Sequence, residues 1–455
     1  MNLCSIKSIV ELEEQEVWDI AVNEMDLFEN EPNFIAQDIL LHNCHAAGIC
    51  LSPVPLSTIA PLHITKAKNE NETSEGEDDR ILVTQFTNPD LEKLGLIKFD
   101  ILGVSTKTAI HLACRYIKEE KGVDIEWGKM PLDDKETLEL LSSGLTDTCF
   151  QLENRGMKDT LRLIGIDSFD DLVAVIAMYR PGPMQYIPDY AGRKQGKVSI
   201  SYAHPLLEKI TKKTYGIICF QEQLMQAFVE LAGMSAADGY KFLKGCAKKD
   251  MKLIDSFQEK FAIGCRKKNI SDQVIDRIYN DLKRFGGYAF NKSHSASYAY
   301  ESFKTAYLKA HYPTEWLAAR LTVETKRKKF DEVEKYLQDA VKNFGFEILE
   351  PTLNDSKLHW AIAGHKKLRM SLLFKGIGMK AAEEIVKHQP YKGNDILFDF
   401  AMKVGKTVNS KVLISMKQAG FWKGIKEDKL IQNFEQIKAD RKKLLGRPPA
   451  EAMFA

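Results

Sequence analysis

At 455 residues, 44% hydrophobic and 28% charged, the chain has the composition of a globular protein, with material for about two to four domains. No apolar run approaches the ~20 residues of a helical membrane span, and no basic stretch followed by an apolar one opens the chain. No membrane partner is therefore expected, and the cytoplasm is the expected location. The net charge of +1 hides an asymmetry: residues 1–43 hold ten Asp/Glu against the single Lys7, a net of −9, so the remainder carries +10. An acidic head on a mildly basic body suggests two modules with different partners, the second compatible with nucleic acid.

In chain order, residues 5–43 read as short strands. Trp18, Ile20 and Val22 alternate in "EVWDIAV", and "NFIAQDILLHN" follows an acidic connection. From 44 to about 104, the short apolar runs "AAGICLS" and "LGLIKFDILG" flank a polar loop, "NENETSEGEDDR". "KFDILG" predicts a buried-edge strand on which Lys98 and Asp100, two residues apart, share a face. After 105 the pattern turns helical. "SDQVIDRIYNDLKRF" has Ser271 as a candidate N-cap and one face of Val274, Ile275, Ile278, Tyr279, Leu282 and Phe285. "YAYESFKTAYLKAHYP" should stop at Pro313. "ILEPTLNDS", near 350, reads as a boundary, after which "LLFKGIGMKAAEEIVKH" is a Gly-containing turn opening a helix. The last thirty residues read only as a Lys-rich tail. The eight cysteines are scattered with no CxxC pair, which argues against a zinc site and a disulfide framework and for mostly buried thiols.

The tripeptide His42-Asn43-Cys44 carries chemistry. The Asn43 side-chain amide can attack its own main-chain carbonyl, closing a succinimide and breaking the bond to Cys44, with His42 polarising that carbonyl. Cys44 offers a thiol for acyl transfer by thioester exchange. Residues 1–43 resemble the C-terminal part of an intein. "EVWDIAV" and "NFIAQDILLHN" are similar to that family's last two blocks, Asp19 matches an acidic position tied to the thioester steps, and Cys44 stands where the first downstream residue belongs. The chain departs from the family at Pro32, where a His usually precedes Asn-Phe. The resemblance implies one half of a split intein, spliced in trans to an upstream polymerase fragment that carries the N-terminal intein half.

From His45 to about residue 425 the chain resembles the α subunit of bacterial DNA polymerase III, a C-family replicative polymerase. The motifs occur in order: "HAAG", "VTQF", "DLEKLGLIKFDILG", "FQLENRGMKD", "YRPGPM", "YGIICFQEQLMQ", "FNKSHSASYA" and "TAYLKAHYPTEW". The resemblance implies Asp100 as one of three carboxylates holding two Mg²⁺ ions, with Lys98 on the incoming dNTP triphosphate. The other two carboxylates belong to an Asp-x-Asp motif that the family places upstream and that has no counterpart in this sequence, so the chain alone is expected to be inactive. Against the family's Arg-Arg followed by Lys-Lys, "FLKGCAKK" keeps Lys244, Lys248 and Lys249 but has Leu243 at the first position. Lys292 and His294 in "FNKSHS" are further nucleotide-binding candidates. Arg155 and Arg180 suit phosphate or a structural ion pair, and Glu222 reads as architectural. "FKGIGMKAAEEIVKH" resembles a helix-hairpin-helix, with Gly376 and Gly378 admitting a DNA phosphate and Lys375 and Lys380 adding charge.

The expected architecture is multidomain α+β. It comprises an all-β intein (Hint) fragment at 1–43, the C-terminal part of a palm sheet at 44–104, mainly helical fingers at 105–349, a helix-hairpin-helix region at 350–425, and the tail at 426–455. The expected function is half of a DNA-directed DNA polymerase, acting on primer-template DNA and dNTPs with other replisome proteins. The rival is a non-catalytic DNA-binding accessory protein with a degenerate intein remnant.

Overall fold

The computed structural model describes residues 8–11, 18–21, 40–41, 48–52, 54–66, 80–100 and 104–445. It divides into two compact units, Met1–Thr108 and Ala109–Ala455.

In the first unit, β1 (Ser8–Glu11) and β2 (Trp18–Ala21) pair antiparallel, with Glu11 opposite Trp18 and Val10 opposite Asp19. Among the described residues, this hairpin is all that positions 1–39 contribute. A five-stranded sheet is built from β3 (Leu40–Leu41), β4 (Gly48–Leu51), β5 (Leu62–Lys66), β6 (Arg80–Thr84) and β7 (Ile97–Asp100), in the order β5-β6-β3-β4-β7. The short helix α1 (Asn88–Lys93) precedes β7. Leu41 stands opposite Ile49 on β4 and opposite Val83 on β6. The strands on either side of the 43/44 junction are thus neighbours in one sheet, and the junction is not a boundary between compact units. The junction residues 42–44 and the polar loop at 67–79 lie outside the described residues. A buried cluster of Leu56, Ala60, Leu91 and Leu96 belongs to the same unit.

The second unit is helical from its start, as the sequence pattern predicts. Its helices are α2 (Ser105–Lys121), α3 (Lys135–Ser143), α4 (Arg155–Ile164), α5 (Phe169–Met178), α6 (Ile187–Lys194), α7 (Pro205–Thr211) and α8 (Gln221–Ala232). They continue with α9 (Ala236–Lys248), α10 (Met251–Arg266), α11 (Asp272–Gly286), α12 (Lys292–His311), α13 (Pro313–Lys326) and α14 (Phe330–Phe344). A small sheet follows, in which β10 (Lys367–Arg369) lies between parallel β8 (Glu347–Leu349) and antiparallel β9 (Ala361–Gly364). The chain then forms α15 (Met379–Lys387), α16 (Ile396–Lys403), α17 (Ser410–Gln418) and α18 (Glu427–Leu445).

Polar caps set where many of these helices begin. Asp134, Asn154, Ser168, Ser235, Asp250 and Asn291 each accept a backbone N–H three residues on, each cap worth about 0.5–2 kcal/mol. Ser271 does occupy the N-cap of α11, but its side chain makes no cap bond. That helix is held by its apolar face instead: Ile275, Ile278, Tyr279 and Leu282 are buried. Pro313 ends α12 and also opens α13, because the first helical position needs no N–H. The segment read as a featureless tail forms α18, whose Leu430 and Phe434 are buried with Phe400, Leu413 and Met416. Cys149, Cys219, Cys246 and Cys265 are buried thiols as expected, and burial pushes Cys149 and Cys219 up to about 12. Among the described residues, no helix is long and apolar enough to cross a membrane.

Candidate functional site

In the second unit, four of the ordered motifs interlock around α12. Phe290 bridges to Phe220: its N–H donates to Cys219 O at 3.0 Å, and Gln221 N–H donates to Phe290 O at 2.9 Å. Lys292 N–H, at the first position of α12, donates to both Glu222 carboxylate oxygens at 2.9 and 3.1 Å. Glu222 therefore satisfies an orphan helix donor and complements the helix dipole, as its architectural reading predicted. Arg180 lies over the Phe290 ring at 3.8 Å and donates to Ala177 O and Tyr288 O. Burial lowers its guanidinium below the ordinary value. These contacts make Arg180 a clamp on the loop before α12. Asn154 accepts a hydrogen bond from Tyr179 Oη at 2.9 Å. Gly156 leaves room for that ring, since a Cβ there would stand 2.2 Å from Tyr179 Oη.

The exposed product of this scaffold is a cation and aromatic cluster. His294 is exposed, packed 5.3 Å from Phe290 and 4.4 Å from Tyr298, and Tyr298 stacks on Phe150 at 5.7 Å. The exposed Lys292 ammonium lies 5.7 Å from the Phe220 ring centre. The expected pair Lys292 and His294 is thus brought together on the first turn of α12. The aromatic neighbours Phe150, Phe290 and Tyr298 were not singled out from sequence, because their adjacency depends on how α12 packs.

On α9, Lys244 and Lys248 are exposed one turn apart, and Lys249 caps the helix in left-handed conformation. Leu243, where the resemblance leads one to look for an arginine, is 4% exposed and packs in the core with Phe242 and Cys246. Its loss of charge is accompanied by burial. Tyr240, one turn before Lys244, is exposed beneath the Lys244 ammonium at 4.8 Å. Among the described residues, Lys244, Lys248 and Lys249 make no ion pair within 4.0 Å. The nearby acids are engaged elsewhere: Asp238 with Ser235 and Lys260, and Asp250 with Leu253 N–H. An unneutralised row of cations suits a polyanion.

At the hairpin-like turn, Gly376 has φ +99° and lies so close to α17 that a Cβ would meet Ser415 Oγ at 2.1 Å. Ile377 is buried as the anchor, while Gly378 is the open N-cap of α15. Lys375 and Lys380 are exposed on either side. The first N–H groups of α15 have no intrahelical acceptor, and no side chain caps them.

In the first unit, among the described residues, β7 pairs only with β4 and so lies at an edge of the sheet, with Lys98 opposite Cys50 and Asp100 opposite Gly48. The side chains of Lys98, Asp100 and Asp19 lie outside the described residues, as do His42, Asn43 and Cys44 entirely. A two-ion centre needs more than one carboxylate. Among the described residues, no three His, Cys, Asp or Glu side chains gather as a metal-binding group.

Three family models match in order. Residues 41–103 match the bacterial DNA polymerase III alpha NTPase domain, 106–269 the finger domain of the same subunit, and 345–430 a helix-hairpin-helix motif. The DNA polymerase III subunit alpha of Aquifex aeolicus is 38% identical over 421 residues, covering 90% of this chain and 35% of that protein. That of Thermus aquaticus is 36% identical over 386 residues, covering 83% and 30%. That of Caulobacter vibrioides is 32% identical over 437 residues, covering 93% and 36%. The chain spans about a third of the length of these relatives.

Proposed function

The chain belongs to the family of the bacterial DNA polymerase III α subunits, C-family replicative polymerases, and from that premise we propose that it supplies the fingers, the final strands of the catalytic sheet and a DNA-gripping hairpin to a template-directed DNA polymerase. The observation that carries this reading is the exposed, unneutralised row Lys244, Lys248 and Lys249 on α9, inside the finger-domain match. These ammonium groups hold the triphosphate of an incoming dNTP, with Lys292 and His294 as a second set. Lys375, Gly376, Gly378 and Lys380 grip a DNA phosphate without reading sequence, a contact that weakens as salt rises. Asp100 is the one metal-binding carboxylate this chain contributes, with Lys98 beside it. Mg²⁺ would supply activation of the primer hydroxyl and stabilisation of the leaving pyrophosphate. The remaining carboxylates come from an upstream segment, and without it the chain is inactive.

That segment is joined by trans-splicing. Asn43 cyclises, His42 polarises the scissile carbonyl, Asp19 assists the thioester steps and Cys44 becomes an internal residue of the product. The sequence His42-Asn43-Cys44 supports this reading, as does a polymerase match that begins at residue 41 and leaves the acidic stretch upstream.

The test is co-expression with an upstream polymerase half ending in a Cys-initiated intein half, followed by mass measurement and primer extension. A ligated product that extends primers, loses activity with Asp100→Asn and binds dNTP more weakly with Lys244→Ala/Lys248→Ala is expected. Failure to ligate, with Asn43→Ala indistinguishable from the parent, refutes the splicing reading. Full extension by the Asp100→Asn product refutes the metal assignment.

A further inference from the structure

The second unit holds a cavity of about 250 Å³ that none of the residues assigned above lines. Its walls come from α6, the segment at 201–203, the turn at 216–218 and α11. Its lining mixes isoleucine and phenylalanine side chains with charged ones: Asp189 and Arg193 from α6, and Arg277, Asp281 and Arg284 from α11. Three guanidinium groups against two carboxylates leave a net positive charge. Among the described residues, none of these five forms an ion pair within 4.0 Å. The guanidinium groups are not consumed by the protein's own acids.

Two further details point to a missing partner. Arg193 is pinned by a hydrogen bond from Nη1 to Tyr215 O at 3.1 Å, yet its Nε is buried with no acceptor. A buried donor left unsatisfied is costly, and an acceptor within its reach would relieve that cost. Arg284 lies over the Tyr186 ring at 5.3 Å, which orients its fork beside the same space. Burial raises the Asp281 carboxyl above its ordinary value, against the opposing pull of Arg277 and Arg284. The volume falls below the roughly 300–1,000 Å³ of pockets that enclose drug-sized ligands, and suits a phosphate or pyrophosphate group.

We propose that this cavity is a binding subsite for a phosphate oxyanion, held by Arg193, Arg277 and Arg284. Arginine forks match phosphate oxygens in pairs, a geometry that a lysine row such as that on α9 does not offer. The ligand is either a free anion of pyrophosphate size or a phosphodiester of a DNA strand. The inference rests on the cavity alone and does not require the α9 cations to bind dNTP.

The test uses the full chain, titrated by calorimetry with inorganic pyrophosphate and, separately, with a short single-stranded oligonucleotide. Arg277→Gln/Arg284→Gln is expected to weaken binding about tenfold or more, the loss of charge-assisted bonds. Asp281→Asn, which removes the opposing carboxylate, is expected to tighten it several-fold. A response to pyrophosphate identifies a free anion as the ligand, and a response confined to the oligonucleotide identifies a strand phosphate. Thermal unfolding of each variant guards against misfolding, and the gain in Asp281→Asn cannot come from damage. Unchanged affinity for both ligands in the double variant overturns the proposal, as does a loss of binding in Asp281→Asn. The titration is repeated in a Lys244→Ala/Lys248→Ala background, where the pyrophosphate binding that remains and is lost on adding Arg277→Gln/Arg284→Gln belongs to this cavity and not to α9.

Discussion

Replacing Arg320 by Met should destabilise the second unit more than any surface charge change. The Arg320 side chain is 6% exposed on α13, with Nη1 at 3.1 Å from Glu324 and Nη2 at 3.5 Å from Glu153. Nη2 also donates to Tyr336 Oη at 2.8 Å, and that hydroxyl donates to Glu153 at 2.7 Å. Met fills most of the space but leaves Glu324, itself 3% exposed, without its buried partner. Removing one member of a buried pair costs about 3–5 kcal/mol, mainly because the other charge is stranded. Arg327 still reaches Glu324 at 2.8 Å, which places the loss near the lower end. At a urea m value of roughly 3 kcal/mol per M, a loss of about 3 kcal/mol moves the midpoint down by about 1 M. Urea unfolding followed by circular dichroism measures this. Arg320→Met/Glu324→Gln should recover about 1–3 kcal/mol of it, since neither charge is then stranded. A midpoint within about 0.3 M of the parent, or a double variant as unstable as the sum of the singles, would refute the reasoning.

Two further outcomes are expected. His359 is half-buried, 6.0 Å from the Tyr116 ring, and burial holds its imidazole below the ordinary 6.5, with Arg115 and Lys326 adding to the effect. The unfolded chain takes that proton more readily, so this contribution to stability is complete above pH 6.5 and falls as pH drops toward the folded-state value. His359→Phe should flatten the stability profile in that window, and an identical slope in parent and variant would count against it. Gly376→Ala forces a side chain into the left-handed turn and onto Ser415, so it should cost about 1–3 kcal/mol or displace the turn. Duplex DNA binding measured by anisotropy should weaken with it, while Gly378→Ala, with open space at Cβ, should leave stability close to normal.

Local pattern made much of the architecture legible. The 3.6-residue apolar rhythm located α11 and its buried face, because that rhythm is what the helix buries. Pro313 marked a helix end because it cannot donate an N–H, and the glycines 376 and 378 marked the turn that opens α15. Other features were not legible. Ser271 has the residue type of a cap, yet only tertiary geometry decides whether its hydroxyl reaches a backbone donor. The segment after 426 reads as Lys-rich because its charges are frequent, whereas Leu430 and Phe434 find their core only when α16 and α17 are in place.

The sequence by itself determined the order of the polymerase-like motifs, the cations available on α9 and the presence of His42-Asn43-Cys44 ahead of them, because these depend on residue type and spacing along one chain. Only the tertiary structure decided which of them meet. Glu222 and Lys292 lie 70 residues apart, and Arg180 and Tyr288 108, yet each pair shares a hydrogen bond. Arg193 and Arg284 come to one cavity from separate helices. Leu40–Leu41 and Gly48–Leu51 lie on opposite sides of His42-Asn43-Cys44 and pair in one sheet. Sheet pairing and helix packing are contacts between distant segments, and no local period encodes which distant partner a backbone or side chain will find.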